Sequence, residues 1–220
     1  MNSRARLLAC LLVLVPVCAL AEPDLSRCQP LDINRVLPYH DIRDPGSSVN
    51  LGTVETNHFI KDVELLRRGQ TSPLPYDISF VLRAFPNHYR ALNSMAMWQL
   101  KNNLPEDPKN ELWTADCYFL RALDFVPDDW KVNLVYGVYL HKAKRLDEAQ
   151  KQYEEAEQKG ADSADYWYNR GLLEVDMGHL TKAQECADKA YEQGASLPGL
   201  KMKLARALSA QNAQGKPKAR

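Results

Sequence analysis

The sequence predicts an all-α fold, a stack of antiparallel helix pairs with an irregular cap before it and a closing helix after it. Three observations carry that expectation. Residues 130–163 and 164–197 repeat one another at a period of 34: Gly137 returns as Gly171, Leu146 as Leu180, Ala149 as Ala183, Ala156 as Ala190, and Gly160-Ala161 as Gly194-Ala195. Ala149, Tyr153 and Ala156 fall at i, i+4 and i+7, so they share one helix face, and small residues there let a neighbouring helix come close. No stretch alternates apolar and polar residues long enough to predict a sheet.

The elements follow in order along the chain. Residues 1–21 read as a secretory leader outside the fold: Arg4 and Arg6 open it, Leu7 to Val17 is an uncharged run of eleven, and Ala19-Leu20-Ala21 is a small-residue cleavage pattern. A run of that length is short of the roughly 20 residues needed to span a bilayer. The mature protein is therefore expected to begin at Glu22, periplasmic or secreted, with no transmembrane segment. Pro23, Pro30, Pro38, Pro45 and Gly46-Ser47-Ser48 break any helix in residues 22–52, which are expected to form an irregular N-terminal cap. Residues 53–88 read as a degenerate helix pair. Its first helix runs from Val54 to Arg68, with Phe59, Val63 and Leu66 at i, i+4 and i+7 and Arg67-Arg68-Gly69 as a basic last turn and glycine stop. Its second runs from Tyr76 to Phe85 and closes at Pro86. Residues 89–129 form the next pair, with Leu92, Met95 and Ala96 in the first helix, Ala115, Phe119 and Ala122 in the second, and Lys101 to Glu111 inserted between them. After the pairs at 130–163 and 164–197, Pro198 opens a closing helix to residue 211. Leu200, Leu204 and Leu208 share its inner face, as a stacked array needs to cover its last repeat. Residues 212–220, with Gly215 and Pro217, are expected to be a disordered tail.

The two regular units, with Asn133-x-x-Tyr136-Gly137-x-x-Leu140 and Trp167-x-x-Arg170-Gly171-x-x-Glu174 in their first helices, resemble the tetratricopeptide repeat (TPR) family, and the resemblance extends over about two thirds of the chain. Arg170 and Glu174 replace an apolar residue and an aromatic of the family pattern, Ala187 replaces the second-helix aromatic, and Ala161 and Ala195 stand where a proline would be. The resemblance implies a right-handed solenoid whose first helices line a concave, partner-binding face. On this chain the implied groove residues are Asn93, Met97, Leu134, Val138, Tyr168 and Leu172. The basic and asparagine residues that clamp a C-terminal carboxylate in chaperone-binding members are missing where Leu134 and Val138 stand. The implied ligand is instead an amphipathic peptide or helix, set against apolar side chains flanked by Lys101, His141 and Asp176.

Charge and chemistry narrow the classes further. The chain has 28 basic and 28 acidic residues. Loss of Arg4 and Arg6 leaves a mature net charge of about −2, which argues against a nucleic-acid binder. Cys10 and Cys18 leave with the leader, and of Cys28, Cys117 and Cys186 the first lies alone in an irregular segment. A bridge from Cys28 to Cys117 would pin the cap to the stack in an oxidising compartment, with Cys186 a buried free thiol. No GxSxG, GxxxxGK[ST], HExxH or paired CxxC is present, so no catalytic residue and no cofactor is expected. Glu55-x-x-His58 has the spacing of a carboxylate–histidine metal motif but occurs once, and no metal site is assigned. The nearer reading makes Glu55 a first-turn acid and His58 a packing or capping group. The acids Glu106, Asp107 and Glu111 read as solvated loop charges, and Trp98, Trp113 and Trp130 as seals at the junction around the insertion. The function expected is protein–protein binding to an envelope partner. The alternatives are a structural subunit of an envelope assembly and a metal-dependent enzyme using Glu55 and His58.

Overall fold

The computed structural model describes residues 28, 31, 38–102 and 112–214. The expected leader at 1–21, most of the expected cap up to residue 37, the loop acids Glu106, Asp107 and Glu111, and the tail beyond Gln214 lie outside the described residues. Among the described residues the fold is all-helical, with ten α-helices, one 3-10 turn and no strand.

The chain enters through the 3-10 turn Pro45–Ser47, whose Asp44 cap accepts from the Gly46 amide. This turn launches α1 (Ser48–His58), so regular structure starts inside the stretch expected to be irregular. The expected single helix from Val54 to Arg68 is broken at Phe59–Ile60, where Ile60 is extended (φ −62°, ψ 166°), and a four-residue α2 (Lys61–Glu64) follows. The break carries Phe59 and Val63 into the same core, with Phe59 edge-on to His88 at 5.0 Å. Arg67 and Arg68 form no last turn. Both reach back to Asp62. Gly69 is needed for a close approach, since a Cβ there would lie 1.9 Å from the Ser72 carbonyl oxygen.

From α3 (Leu74–Ala84) onward the helices fall where the pattern predicts: α4 (Tyr89–Asn102), α5 (Ala115–Phe125), α6 (Trp130–Lys142), α7 (Leu146–Gln158), α8 (Ala164–Asp176), α9 (Leu180–Glu192) and α10 (Gly199–Gln214). The last runs three residues beyond its expected end. α6 packs along α7 and α8 along α9, and α10 lies against both α8 and α9. Caps start several of these helices: Thr114 accepts from Cys117 N, Asp129 from Lys131 N and Ser163 from Tyr166 N. The repeated Gly-Ala pair ends α7 and α9. Gly160 and Gly194 are left-handed (φ 88° and 93°), and the amides of Ala161 and Ala195 return to the carbonyls of Ala156 and Ala190 at 2.9 Å. That closing motif satisfies carbonyls a helix end would otherwise leave open, and it explains why alanine suffices there.

The core is one large cluster running through the pairs and a smaller one of Val175, Ala183, Ala187, Leu200 and Leu204 beneath α10. Within the pairs the repeated glycine sets the helix separation. A Cβ on Gly137 would stand 3.1 Å from the Tyr153 ring, and one on Gly171 2.8 Å from Leu200 Cδ2 and 3.1 Å from Cys186 Cβ. Leu200 thus covers Gly171 from α10, where Ala187 offers no ring. Trp113 is buried, while Trp98 and Trp130 are half-buried against the large cluster. Cys28 and Cys117 lie at disulfide distance, Cα to Cα 5.4 Å, which fits an oxidising compartment, and Cys186 is buried and free. Burial pushes the Cys186 thiol up to about 11.

Candidate functional site

The first helices α4, α6, α8 and α10 are neighbours in succession, and each sequence-predicted groove residue sits on one of them. Asn93 is exposed, and Met97, Val138, Tyr168 and Leu172 are half-buried. Leu134 is only 9% exposed and belongs to the large core cluster, in keeping with the packing of α4 on α6. Tyr168 has a second role. It packs against both clusters, and its hydroxyl stands 2.7 Å from where a Cβ of Gly199 would lie, so the start of α10 rests on it.

One polar network crosses this face. His141 Nε2 on α6 is 2.8 Å from Asp176 Oδ2 on α8, and Lys203 Nζ on α10 reaches the same oxygen at 2.5 Å. Burial pulls the His141 imidazole below its ordinary value, outweighing Asp176, so the neutral ring donates its Nε2 hydrogen to the carboxylate. Burial alone would raise Asp176, but the hydrogen bonds from Lys203 and His141 prevail and hold it below the usual carboxylate range. Sequence reasoning placed His141 and Asp176 beside the groove and missed Lys203. Its signal was modest, a lysine between Leu200 and Leu204 on a helix whose leucines point inward.

Glu55 and His58 do not share a site. Because α1 begins at Ser48, Glu55 lies well past the first turn and points with Arg90 to His88: its Oε1 is 3.1 Å from His88 Nε2 and 3.0 Å from Arg90 Nη1. His58 turns instead to Asp77, Nδ1 to Oδ1 3.0 Å, and stacks on Phe80 at 3.9 Å. Among the described residues no three His, Cys, Asp or Glu side chains come together as a metal site. His88 is fully buried and caps α4, its Nδ1 accepting from the Ala91 amide at 3.1 Å, so Nε2 carries the hydrogen donated to Glu55. Burial lowers its basicity further than Glu55 restores it.

Asp77 is a second fully buried polar node of this region. It accepts from the amides of Gln70 (2.5 Å), Thr71 (3.1 Å) and Ser72 (3.3 Å) and from the hydroxyls of Thr71 (2.5 Å) and Ser72 (3.1 Å). Burial would raise its carboxyl, but these bonds and that from His58 prevail and bring it to about 2. Asn87 ties the entering segment down, accepting from Ile42 N at 3.1 Å and donating to Asp41 (2.7 Å) and Asp129 (3.0 Å). At the far end, two of the departures from the repeat pattern, Arg170 and Glu174, meet one another. Arg170 bonds Glu157 and the Tyr166 hydroxyl, and buried Glu174 pairs with His179 Nδ1 at 2.8 Å and faces Arg170 Nε at 3.7 Å. The i, i+4 spacing of Arg170 and Glu174 was the sequence signal for that pair.

No protein-family model matches the chain, and no curated protein or solved structure matches it.

Proposed function

We propose that this chain is a TPR protein, exported through a leader cleaved after Ala21 to the periplasm or beyond, that binds a peptide or helix of an envelope partner along the face made by α4, α6, α8 and α10. It works as a right-handed solenoid of helix pairs and needs neither catalytic residues nor a cofactor. The observation that supports this reading best is the unbroken succession of first helices, with Asn93 exposed and Met97, Val138 and Leu172 left half-open along it. Apolar side chains held half-open on a rigid scaffold suit the apolar stripe of an amphipathic segment. The bonded His141, Asp176 and Lys203 offer polar contacts at its edge.

Two of the six groove residues are poor probes. Leu134 is core, and Tyr168 supports α10. The test therefore uses a photo-crosslinking amino acid at exposed Asn93, compared with one at exposed Glu192 on α9, followed by recovery from native envelopes. A specific adduct from position 93 and none from 192 supports the groove, and Leu172→Gln should reduce that adduct about tenfold at a temperature where circular dichroism shows the variant still folded, because Leu172 also packs against the cluster beneath α10. Equal labelling from both positions would remove the first-helix face as the binding site and favour a structural subunit embedded in a larger assembly.

A further inference from the structure

The helix α10 keeps the register of the repeats. One period beyond Trp167, Gly171 and Glu174, and two beyond Asn133, Gly137 and Leu140, stand Lys201, Ala205 and Leu208. The inward position repeats as well: Val132, Tyr166 and Leu200 are all 0% exposed, so α10 is seated on α8 as α8 is on α6. In α6 and α8 the positions that meet the paired second helix are all buried. In α10 Lys201 and Ala205 are exposed and Leu208 is half-buried, and they border a depression of about 140 Å³ with Gln184, Ala187 and Tyr191 of α9. α10 therefore has the place and the small central residue of a first helix. Among the described residues no second helix follows it.

We infer that this face of α10 docks an amphipathic helix of a partner protein, seated on it as α7 sits on α6 and α9 on α8. The pairing already present between α6 and α7 defines its chemistry. There Ala149, Tyr153 and Ala156 form the contact stripe, with the Tyr153 ring over Gly137. Asn133, at the register of Lys201, donates to Gln152 at 2.8 Å and to Glu155 at 3.0 Å. With Lys201 in that place, a carboxylate at the register of Glu155 meets a cation instead of an amide. Lys201 is available for it, since in the free protein it is exposed and stacked over the Tyr191 ring at 3.9 Å. The pairing of α8 with α9 shows what the site rejects: one period after Glu155 comes Lys189, which lies over Trp167 at 3.8 Å and in a docked helix would confront Lys201. The partner helix thus carries small, aromatic and small residues at i, i+4 and i+7 and an acid at i+6.

The test uses two helix-stapled, fluorescein-labelled peptides, one copying residues 145–160 and one copying residues 179–194 with Cys186→Ser, titrated with the full chain and followed by anisotropy. The first should bind and the second should bind at least about tenfold more weakly. Ala205→Trp fills an exposed groove, so it should leave the thermal midpoint unchanged and abolish binding of the first peptide. Lys201→Glu should weaken that peptide about tenfold, and the same peptide with Glu155→Lys should restore affinity to the Lys201→Glu protein. Absence of binding, equal binding of both peptides, or indifference to Ala205→Trp would overturn the inference. So would sedimentation of the chain as a dimer that Ala205→Trp dissociates, because the face would then belong to a second copy.

Discussion

Residues 38–98 and residues 130–197 both consist of short packed helices, yet different chemistry holds them. In the first region the helices are tied by buried polar side chains that serve loop backbone: Asp77 gathers residues 70–72, Asn87 holds Ile42 and Asp41, and His88 caps α4. In the second, separation is set chiefly by glycine and alanine facing a ring or a leucine, at Gly137 and Gly171. A steric contact of that kind can be copied at a fixed period, because it needs only a small residue opposite a large one. A polar node cannot be copied so simply, since each donor and acceptor must be satisfied in place.

Removing one node is the strongest way to break the first region alone. Asp77→Ala leaves the Gln70, Thr71 and Ser72 donors and His58 without their common acceptor, and it should cost about 3 to 4 kcal/mol. Urea unfolding measures the loss. Hydrogen exchange should show it concentrated at residues 61–84 and slight at 130–197, and a loss under about 1 kcal/mol would end the distinction drawn between the regions. The Cys28 to Cys117 link comes next. It closes a separation of 89 residues, for which the chain-entropy account sets an upper value of roughly 4.6 kcal/mol, and residual structure in the unfolded chain should bring the cost of Cys28→Ser to roughly 3 kcal/mol. Non-reducing peptide mapping of protein recovered from its native cells checks the pairing, with Cys186 recovered as the free thiol.

The counterpart in the second region is Gly137→Leu. Its Cβ alone would press on the Tyr153 ring at 3.1 Å, so the longer side chain should overpack the α6/α7 junction by about 2 kcal/mol. Gly171→Leu should collide with Leu200 and loosen α10 as well. Thermal midpoints unchanged in both variants would show that the glycines do not set the separation.

The same contrast explains how much was legible in the sequence. Gly137, Ala149, Tyr153 and Ala156 announced their pair because they recur, and the helices they predicted match α6 to α9 closely. The stretch from Val54 to Arg68 was misread as one helix. Its apolar spacing suited a helix, while the break at Ile60 sets Phe59 against His88, the turn at Leu66 (φ 57°) brings Arg67 back to Asp62, and Gly69 passes close to Ser72, contacts that periodicity does not weigh. The groove residues were placed on the right helices, but their accessibility depends on how closely successive first helices pack. Leu134 was lost to the core for that reason. Lys203 could not be foreseen in the His141 and Asp176 network because its partner lies 27 residues earlier on another helix.

Acid should separate the regions by the size of the loss. His88 and His141 are held neutral in the fold below the ordinary 6.5, so their contribution is full above pH 6.5 and is lost as pH falls from there toward their lower folded values. Each can cost up to about 1.4 kcal/mol per pH unit, and about 1 kcal/mol should be gone between pH 7 and 5.5. Asp77 and Glu64, both brought to about 2, add a second loss as pH falls from about 4 toward 2; hydrogen bonds from Arg90 are the main cause at Glu64. Three of these four groups lie in residues 38–98, so circular dichroism with region-resolved exchange should find that region unfolding first on acidification. Simultaneous loss of both regions would show that they act as one cooperative unit.

The smallest expected effect is also the sharpest on packing. Tyr153 is buried, and among the described residues its hydroxyl has no hydrogen-bond partner, while Phe119 holds the equivalent place in the preceding pair without a hydroxyl. Burial pushes the Tyr153 phenol upward, with the Tyr166 hydroxyl adding to it. Burying a hydroxyl with nothing to bond it is unfavourable, so Tyr153→Phe should be neutral or stabilise by up to about 1 kcal/mol, the ring keeping its place over Gly137 and its edge contact with Tyr166 at 6.2 Å. Tyr166→Phe is the matched opposite. Its hydroxyl donates to the Tyr153 carbonyl at 3.0 Å and accepts from Arg170 at 2.6 Å, so its loss should cost about 1 to 2 kcal/mol. Urea midpoints of the two variants should therefore move in opposite directions, or only that of Tyr166→Phe should move. A comparable loss in both would mean that Tyr153 is held by a polar contact, and that steric packing alone does not account for the α6/α7 pair.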